Sequence, residues 1–238
     1  MHFYRALRPV AAMTFDLDDT LYDNRPVIAR TTQASHAALQ AFHPALQDYS
    51  MAQYHEVRQR LLAAEPDIQH DVSEWRRRAV EQAMLDVGLS PAQAASGARE
   101  VMAVFAHWRS QIDVSDETHA TLAYLAQRIP LVAITNGNAE PQRCGLDNYF
   151  QFVLRAGPDG RAKPSREMYD AAAKRLQLAP ERILHVGDDL TTDVAGAIQS
   201  GLQACWIAPF GDNLMQMRDA RLLPTLAISR LASLTSLL

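Results

Sequence analysis

Two periodicities of apolar residues divide the chain. A short apolar run, 10–15, stops at a group of acidic residues, which predicts a buried strand with polar side chains at its carboxyl end. Over about 22–112 the apolar residues recur every three or four positions instead, as in Val101, Phe105 and Trp108. This spacing predicts a segment made only of helices.

Helix-capping residues within 22–112 support that prediction. Ser90, with Pro91 after it and Gln93 three positions on, has the residues of a capping box with proline at the first helical position. Asp71 is typical of the residue that caps a following helix, and Gly88 is typical of a helix end. We therefore expect separate helices that begin after positions 71 and 90.

Beyond about position 118 the pattern alternates between strands and helices. The strands are predicted at 131–135, 151–155, 183–186 and 204–207, and the helices at 165–177 and 194–199. Such alternation is typical of an α/β fold with a mainly parallel, Rossmann-like sheet. We predict a core formed by 1–21 and 113–238 and a helical insert, 22–112. Since the insert follows the first strand, we expect it over the sheet edge where open α/β sheets bind ligands.

Composition narrows the class of protein. The chain has 238 residues, 48% of them hydrophobic, which is enough to bury a core. Its 23 basic and 27 acidic side chains give a net charge of −4, so binding to nucleic-acid phosphates is not expected. No apolar run approaches the roughly 18–20 residues of a membrane span. The charge and the apolar pattern therefore predict neither a nucleic-acid nor a membrane partner. The chain has only two cysteines, Cys144 and Cys205, so no disulfide framework is expected and a cytoplasmic location is predicted.

Acidic residues follow the first predicted strand. Asp16 and Asp18 are two positions apart, with Asp19 next to them, and a turn of the chain would bring the carboxylates together. Unpaired, they would raise one another's pKa, and a bound cation would relieve the repulsion. Mg²⁺ prefers a few carboxylate oxygens together with water. The alternative from these residues alone is a solvated acidic turn.

Three further polar groups lie at the ends of predicted strands or just before a predicted helix. Thr135, Asn136 and Gly137 end the second strand of the αβ region, and their hydroxyl, amide and backbone N–H groups suit phosphate oxygens. Lys163 precedes a proline just before a helix, and the segment 187–193 adds acids after the strand predicted at 183–186. Taken singly, these are an ordinary turn, a solvated lysine and a helix cap. In a parallel sheet, however, all of them share one edge and can meet over one site.

The four segments together resemble the motifs of the haloacid dehalogenase-like (HAD) superfamily, and the helical insert resembles the family's C1 cap. The motifs are 16–20, 135–137, 163–164 and 187–193. The resemblance implies a phosphomonoesterase acting on a small phosphorylated metabolite. It implies that Asp16 is the nucleophile that forms an aspartyl-phosphate, and that Asp18 protonates the leaving group and later activates water.

The resemblance also implies the remaining roles. Mg²⁺ would be held by the Asp16 and Asp188 carboxylates and the backbone carbonyl of Asp18. Thr135 and Lys163 would assist catalysis. The substrate-binding residues it implies are Asp16, Leu17, Asp18, Thr135, Asn136 and Lys163. Asp193 would act through a metal-bound water or by contact with Lys163, and Asp189 would likewise lie next to the residues that touch metal and substrate. Specificity is expected from Tyr22, Asn24, Arg25, His70, Trp75 and Arg76, although Trp75 is interpreted first as core packing and 76–78 as a solvated helix face.

Several alternatives stay open at this point. Dehalogenation is rejected because a halide leaves without a proton, whereas Asp18 stands where the leaving group would be protonated. A sugar phosphomutase would use the same motifs, and so would a broad nucleotide 5′-phosphatase. A phospho-receiver or a binding module is the non-enzymatic alternative. It is disfavoured by the position of the acids and by the large insert.

Overall fold

The protein, described here from a computed structural model over residues 1–208 and 214–238, folds into two compact units. One unit comprises 1–23 and 113–238, and the other comprises 24–112. The sequence predicted an insert over 22–112. No helix in the described part of the chain is long and apolar enough to cross a membrane.

The first unit is built on a seven-stranded sheet. The strands are β1 His2–Phe3, β2 Ala12–Phe15, β3 Leu131–Thr135, β4 Phe152–Arg155, β5 Ile183–Gly187, β6 Gln203–Ile207 and β7 Leu226–Ile228. Their order is β1-β7-β6-β5-β2-β3-β4, and every pair is parallel except β1 with β7. This confirms the predicted α/β class. The two short strands β1 and β7 were not predicted.

The central strands are buried on both faces. Every residue of β2, β3 and β5 is buried, so helices cover the sheet on either side, as in α/β folds. The flanking helices are α5 Asp116–Ala126, α6 Glu167–Leu176 and α7 Gly196–Gln199. A π-helical turn, Leu190–Ala195, leads directly into α7, so this helical segment begins four residues earlier than the sequence predicted.

The second unit is a bundle of four helices. These are α1 Arg25–Phe42, α2 Met51–Ala64, α3 Val72–Asp86 and α4 Pro91–Arg109. The predicted capping box is present at Ser90, whose side chain accepts from the backbone N–H of Gln93. Asp71 caps α3, also as predicted, by accepting from two backbone N–H groups. The bundle has its own hydrophobic core, centred on Leu39, Ala83 and Val101.

Candidate active site

The first acidic residues lie at the carboxyl end of β2. Asp16 directly follows the last residue of that strand, and its backbone N–H donates to Val186 O of β5 at 2.9 Å. The chain then turns sharply at Asp19, which has a φ of 58°, a conformation that aspartate tolerates better than most residues. The turn brings Tyr22 back, and its hydroxyl donates to Asp18 Oδ1 at 2.7 Å. Asp18 is thus held by a residue that the sequence suggested only for specificity.

Lys163 lies at the centre of the site. Its Nζ is 2.6 Å from Asp16 Oδ1 and also 2.6 Å from Asp193 Oδ1. The Lys163 side chain is 1% exposed, that of Asp193 is 2% and that of Asp16 is 11%. Of these three side chains, Asp16 therefore presents the most surface to a ligand.

The charges of this group depend on one another. Burial alone would lower the pKa of Lys163, but Asp16 and Asp193 outweigh it and raise that pKa above its ordinary value. Burial would likewise raise the pKa of Asp193, yet Lys163 and His185 hold it well below its usual range. The pKa of Asp16 stays raised, since burial and the charge of Asp193 exceed the attraction of Lys163. One ammonium is therefore shared by two buried carboxylates, and negative charge is left over.

Asp188 adds a further carboxylate at the end of β5. The hydroxyl of Thr20 donates to Asp188 Oδ1 at 3.0 Å, and the indole N–H of Trp206 donates to its backbone carbonyl at 2.8 Å. Burial, with Asp193 adding to it, raises the pKa of Asp188 to about 6. Among the described residues, no basic side chain forms an ion pair with the Asp188 carboxylate, and a bound cation would supply the positive charge.

Three carboxylates lie close enough to share a cation. One oxygen from each of Asp16, Asp188 and Asp193 lies within 4.8 Å of the others. Asp193 is already engaged, because Oδ1 faces Lys163 and Oδ2 accepts the backbone N–H of Asp189 at 3.0 Å. Asp16 and Asp188 each accept one side-chain hydrogen bond from the described residues, so lone pairs remain on both. This donor set fits a hard cation such as Mg²⁺.

The position of Asp193 requires glycine behind it. A Cβ built on Gly187 would lie 2.2 Å from Asp193 Cγ, far inside contact distance. The motif 187–193 therefore contains a glycine because the Asp193 carboxylate packs against its Cα. Asp189 has a different function, since its side chain accepts the backbone N–H groups of Thr191 and Thr192 at 2.8 and 2.6 Å. Its carboxylate caps a helical turn, which was the alternative interpretation of this segment.

Thr135 is the last residue of β3 and Asn136 follows it, as the sequence predicted, and the Asn136 side chain binds the backbone of Lys163. Its Oδ1 accepts the backbone N–H of Lys163 at 2.7 Å, and its Nδ2 donates to the Lys163 carbonyl at 2.9 Å. One N–H of the Asn136 amide is therefore used within the protein, and the expected binding of phosphate oxygens by Asn136 stays a prediction. The Thr135 hydroxyl accepts the N–H of Gly137 at 2.9 Å and keeps its own proton to donate.

Residues of the helical unit pack largely among themselves. Trp75 donates its indole N–H to Arg58 O at 3.1 Å, and the Arg58 guanidinium lies 3.8 Å from the ring centre. The interpretation of 76–78 as a solvated face is wrong for Arg76, which lies 4.1 Å over the Phe105 ring, where burial lowers the pKa of Arg76. Arg77, in contrast, pairs with surface glutamates.

Sequence reasoning missed two polar residues beneath the site. Thr14 and His185 are both fully buried, and Thr14 Oγ1 lies 2.8 Å from His185 Nδ1. His185 Nε2 lies 3.2 Å from Asp193 Oδ1. The available signal was a histidine inside the apolar segment 183–186, which a strand buried on both faces tolerates only with hydrogen-bond partners.

Comparison with known proteins decides the family. Residues 10–201 match the family model of the haloacid dehalogenase-like hydrolases. The chain belongs to this family. The similarity extends over its full length to the 5-amino-6-(5-phospho-D-ribitylamino)uracil phosphatase of Escherichia coli, with 59% identity over 238 residues and all of both chains covered. A phosphoserine phosphatase from Thermus thermophilus is 30% identical over 66% of this chain and 62% of its own.

A solved structure is also similar. The crystal structure described as a 2-haloacid dehalogenase from Pseudomonas syringae is 36% identical, with a TM-score of 0.88. The match covers 96% of this chain and 97% of that one. The family resemblance that the motifs indicated is therefore confirmed.

Proposed function

We propose that this HAD-family enzyme is a Mg²⁺-dependent phosphomonoesterase whose substrate is 5-amino-6-(5-phospho-D-ribitylamino)uracil, an intermediate of riboflavin biosynthesis. The observation that carries the reaction class is the buried ammonium of Lys163 between Asp16 and Asp193, with Asp188 beside them. The choice of substrate is supported by the full-length identity of 59% to the Escherichia coli phosphatase that is named for this compound.

In the proposed reaction, a carboxylate oxygen of Asp16 attacks phosphorus. The new bond joins that oxygen to phosphorus, and the bond between phosphorus and the ester oxygen breaks. Asp18 gives its proton to the departing alkoxide, and the Tyr22 hydroxyl holds the Asp18 carboxyl in place. Asp18 then takes a proton from the water that hydrolyses the aspartyl-phosphate, and inorganic phosphate leaves.

Positive charge and hydrogen-bond donors complete the proposed site. Lys163 fixes the Asp16 carboxylate and offsets negative charge near the phosphoryl group. The Thr135 hydroxyl and the backbone N–H groups of Leu17 and Asn136 donate to the phosphoryl oxygens. When bound by Asp16, Asp188 and the carbonyl of Asp18, Mg²⁺ would supply the charge that lets a phosphate dianion approach a carboxylate.

Dehalogenation is the second candidate, because the similar Pseudomonas structure carries that description. The Asp18 carboxyl group, two residues after Asp16 and bound by the Tyr22 hydroxyl, argues against it, since displacement of a halide needs no acid on the leaving group. A 2-haloacid should therefore release no halide above the rate of an Asp16→Asn variant.

The proposal also includes a cytoplasmic enzyme with a small metabolite as its partner. The two cysteines, Cys144 and Cys205, are free and buried, which supports a reducing compartment.

The test is phosphate release from the ribitylaminouracil phosphate with Mg²⁺, with flavin mononucleotide and a nucleotide 5′-monophosphate in parallel. We expect the highest kcat/KM on the first substrate and no turnover by Asp16→Asn. Higher kcat/KM on the nucleotide would replace the proposed substrate and keep the mechanism. Transfer of the phosphoryl group to a sugar hydroxyl instead of water would indicate a phosphomutase. If the wild type released no phosphate from any of the esters, the proposal of a phosphatase would be refuted.

A further inference from the structure

Two buried polar side chains face each other on adjacent central strands. Thr14 of β2 and His185 of β5 are direct register partners, and both are 0% exposed. Neither belongs to the four motifs. Thr14 lies two residues before Asp16 and His185 three residues before Asp188, so the pair lies in the sheet immediately behind the carboxylates.

The hydrogen bonds of His185 determine its tautomer. Its Nε2 faces Asp193 Oδ1, and because an ionised carboxylate only accepts, Nε2 carries the proton. Nδ1 is then the acceptor, and the Thr14 hydroxyl donates to it. Burial lowers the pKa of His185, in agreement with a neutral ring. The Tyr169 ring lies edge-on to the imidazole, with ring centres 5.0 Å apart, and its hydroxyl donates to Thr192 O.

The acceptor of this bond connects His185 to the reacting group. Asp193 Oδ1 also receives the Lys163 ammonium at 2.6 Å, and the same ammonium contacts Asp16 Oδ1. In the described part of the chain, Lys163 and His185 are the two side chains that donate to Asp193. Without His185, the Asp193 carboxylate would keep its bond from the Asp189 N–H but could rotate about it, and Lys163 would move with it.

We propose that His185 is a positioning residue for phosphoryl transfer, which orients Asp193 and so holds the Lys163 ammonium against the nucleophile Asp16. The inference rests on the proposed phosphatase function for its kinetic consequence. It rests on the geometry alone for its effect on Lys163.

Three substitutions separate the two hydrogen bonds of His185. His185→Gln places an amide donor near the position of Nε2 and keeps the bond to Asp193. His185→Asn places its amide near Nδ1 and keeps only the contact with Thr14, and His185→Leu removes both. With p-nitrophenyl phosphate and Mg²⁺, we expect kcat to fall about 10-fold to 100-fold in the Asn and Leu variants, the effect of one hydrogen bond to a charged group, with KM within about twofold. The Gln variant should recover to within about threefold of wild type.

A second readout needs neither substrate nor metal. The chain contains two lysines, Lys163 and the exposed Lys174, so a ¹⁵N spectrum of side-chain ammonium groups has an internal reference. We expect the Lys163 ammonium signal to be slow in proton exchange in wild type and His185→Gln. It should broaden or vanish from exchange in His185→Asn and His185→Leu.

The outcomes distinguish this inference from the proposed function. An unchanged Lys163 signal in His185→Leu, or equal kcat in the Gln and Asn variants, would overturn the positioning role. Lower thermal stability with unchanged kcat and unchanged Lys163 exchange would also overturn it, because that result is expected of a merely structural residue. A wild type that is silent on the ester would refute the phosphatase, while the ammonium signals would still decide the role of His185.

Discussion

Removal of the Lys163 ammonium should destabilise the folded state, because Lys163 neutralises the buried carboxylates of the site. In Lys163→Met, two buried carboxylates that both lie 2.6 Å from Nζ lose their shared partner. Loss of one member of a buried ion pair typically destabilises a protein by about 3–5 kcal/mol, because the remaining charge is left uncompensated. We expect a decrease of that size in the free energy of unfolding at pH 7 without metal.

The decrease should depend on pH in a defined direction. In wild type, the pKa of Asp193 is lowered, so its contribution to stability is present at neutral pH and is lost as the pH falls through that low value. In the variant, both carboxyls should have raised pKa values, so the folded state binds protons more tightly than the unfolded state and gains stability as the pH falls. A tenfold difference in proton affinity between the folded and unfolded states corresponds to about 1.4 kcal/mol. The difference in stability between the two proteins should therefore shrink from pH 7 to pH 5.

The assay is urea unfolding followed by tryptophan fluorescence in EDTA. Of the three tryptophans, Trp206 alone lies in the sheet unit, so Trp75 and Trp108 are replaced by Phe in every protein compared. Lys174→Met is the matched control, and at this exposed position the change should stay within about 0.5 kcal/mol. A Lys163→Met variant as stable as the control, or a loss of equal size at pH 5 and pH 7, would refute the reasoning.

Three further predictions follow from single contacts. The pKa of Asp188, raised to about 6, predicts that its proton competes with Mg²⁺ below pH 6, so that the Mg²⁺ affinity falls as the pH falls through this range; calorimetric titration should show a weaker pH dependence of the affinity in Asp188→Asn than in wild type, and an equal dependence in both proteins would contradict the role of Asp188. Tyr22→Phe removes the donor at 2.7 Å from Asp18 Oδ1 and should lower kcat about tenfold in steady-state assays, and an unchanged kcat would mean that Asp18 needs no such support. Gly187→Ala introduces a Cβ that would lie 2.2 Å from Asp193 Cγ and should destabilise the folded state by about 1–3 kcal/mol in urea unfolding, whereas wild-type stability would show that Asp193 can move without penalty.

The sequence alone determined features whose signal is local. The apolar segments that became β2, β3 and β5 were visible as short runs bounded by polar residues, and the capped starts of α3 and α4 were visible as Asp71 and Ser90. The strands β1 and β7 were missed because two or three residues are too few for any periodicity to be recognised.

Only the tertiary structure decided which contacts each of the neighbouring acidic residues makes. Asp189 and Asp193 lie in one motif, yet one caps a helical turn and the other turns inward to Lys163. Asn136 was expected to face phosphate with its amide, but the amide holds the backbone of Lys163.

The physical reason is the range of the interactions that select a partner. Strand and helix patterns arise from residues a few positions apart, and one sequence contains them directly. The Lys163–Asp16 contact joins residues 147 positions apart, and the Thr14–His185 contact joins residues 171 positions apart. Which oxygen faces which donor was therefore fixed only when the parallel strands came into register and water was excluded from between them.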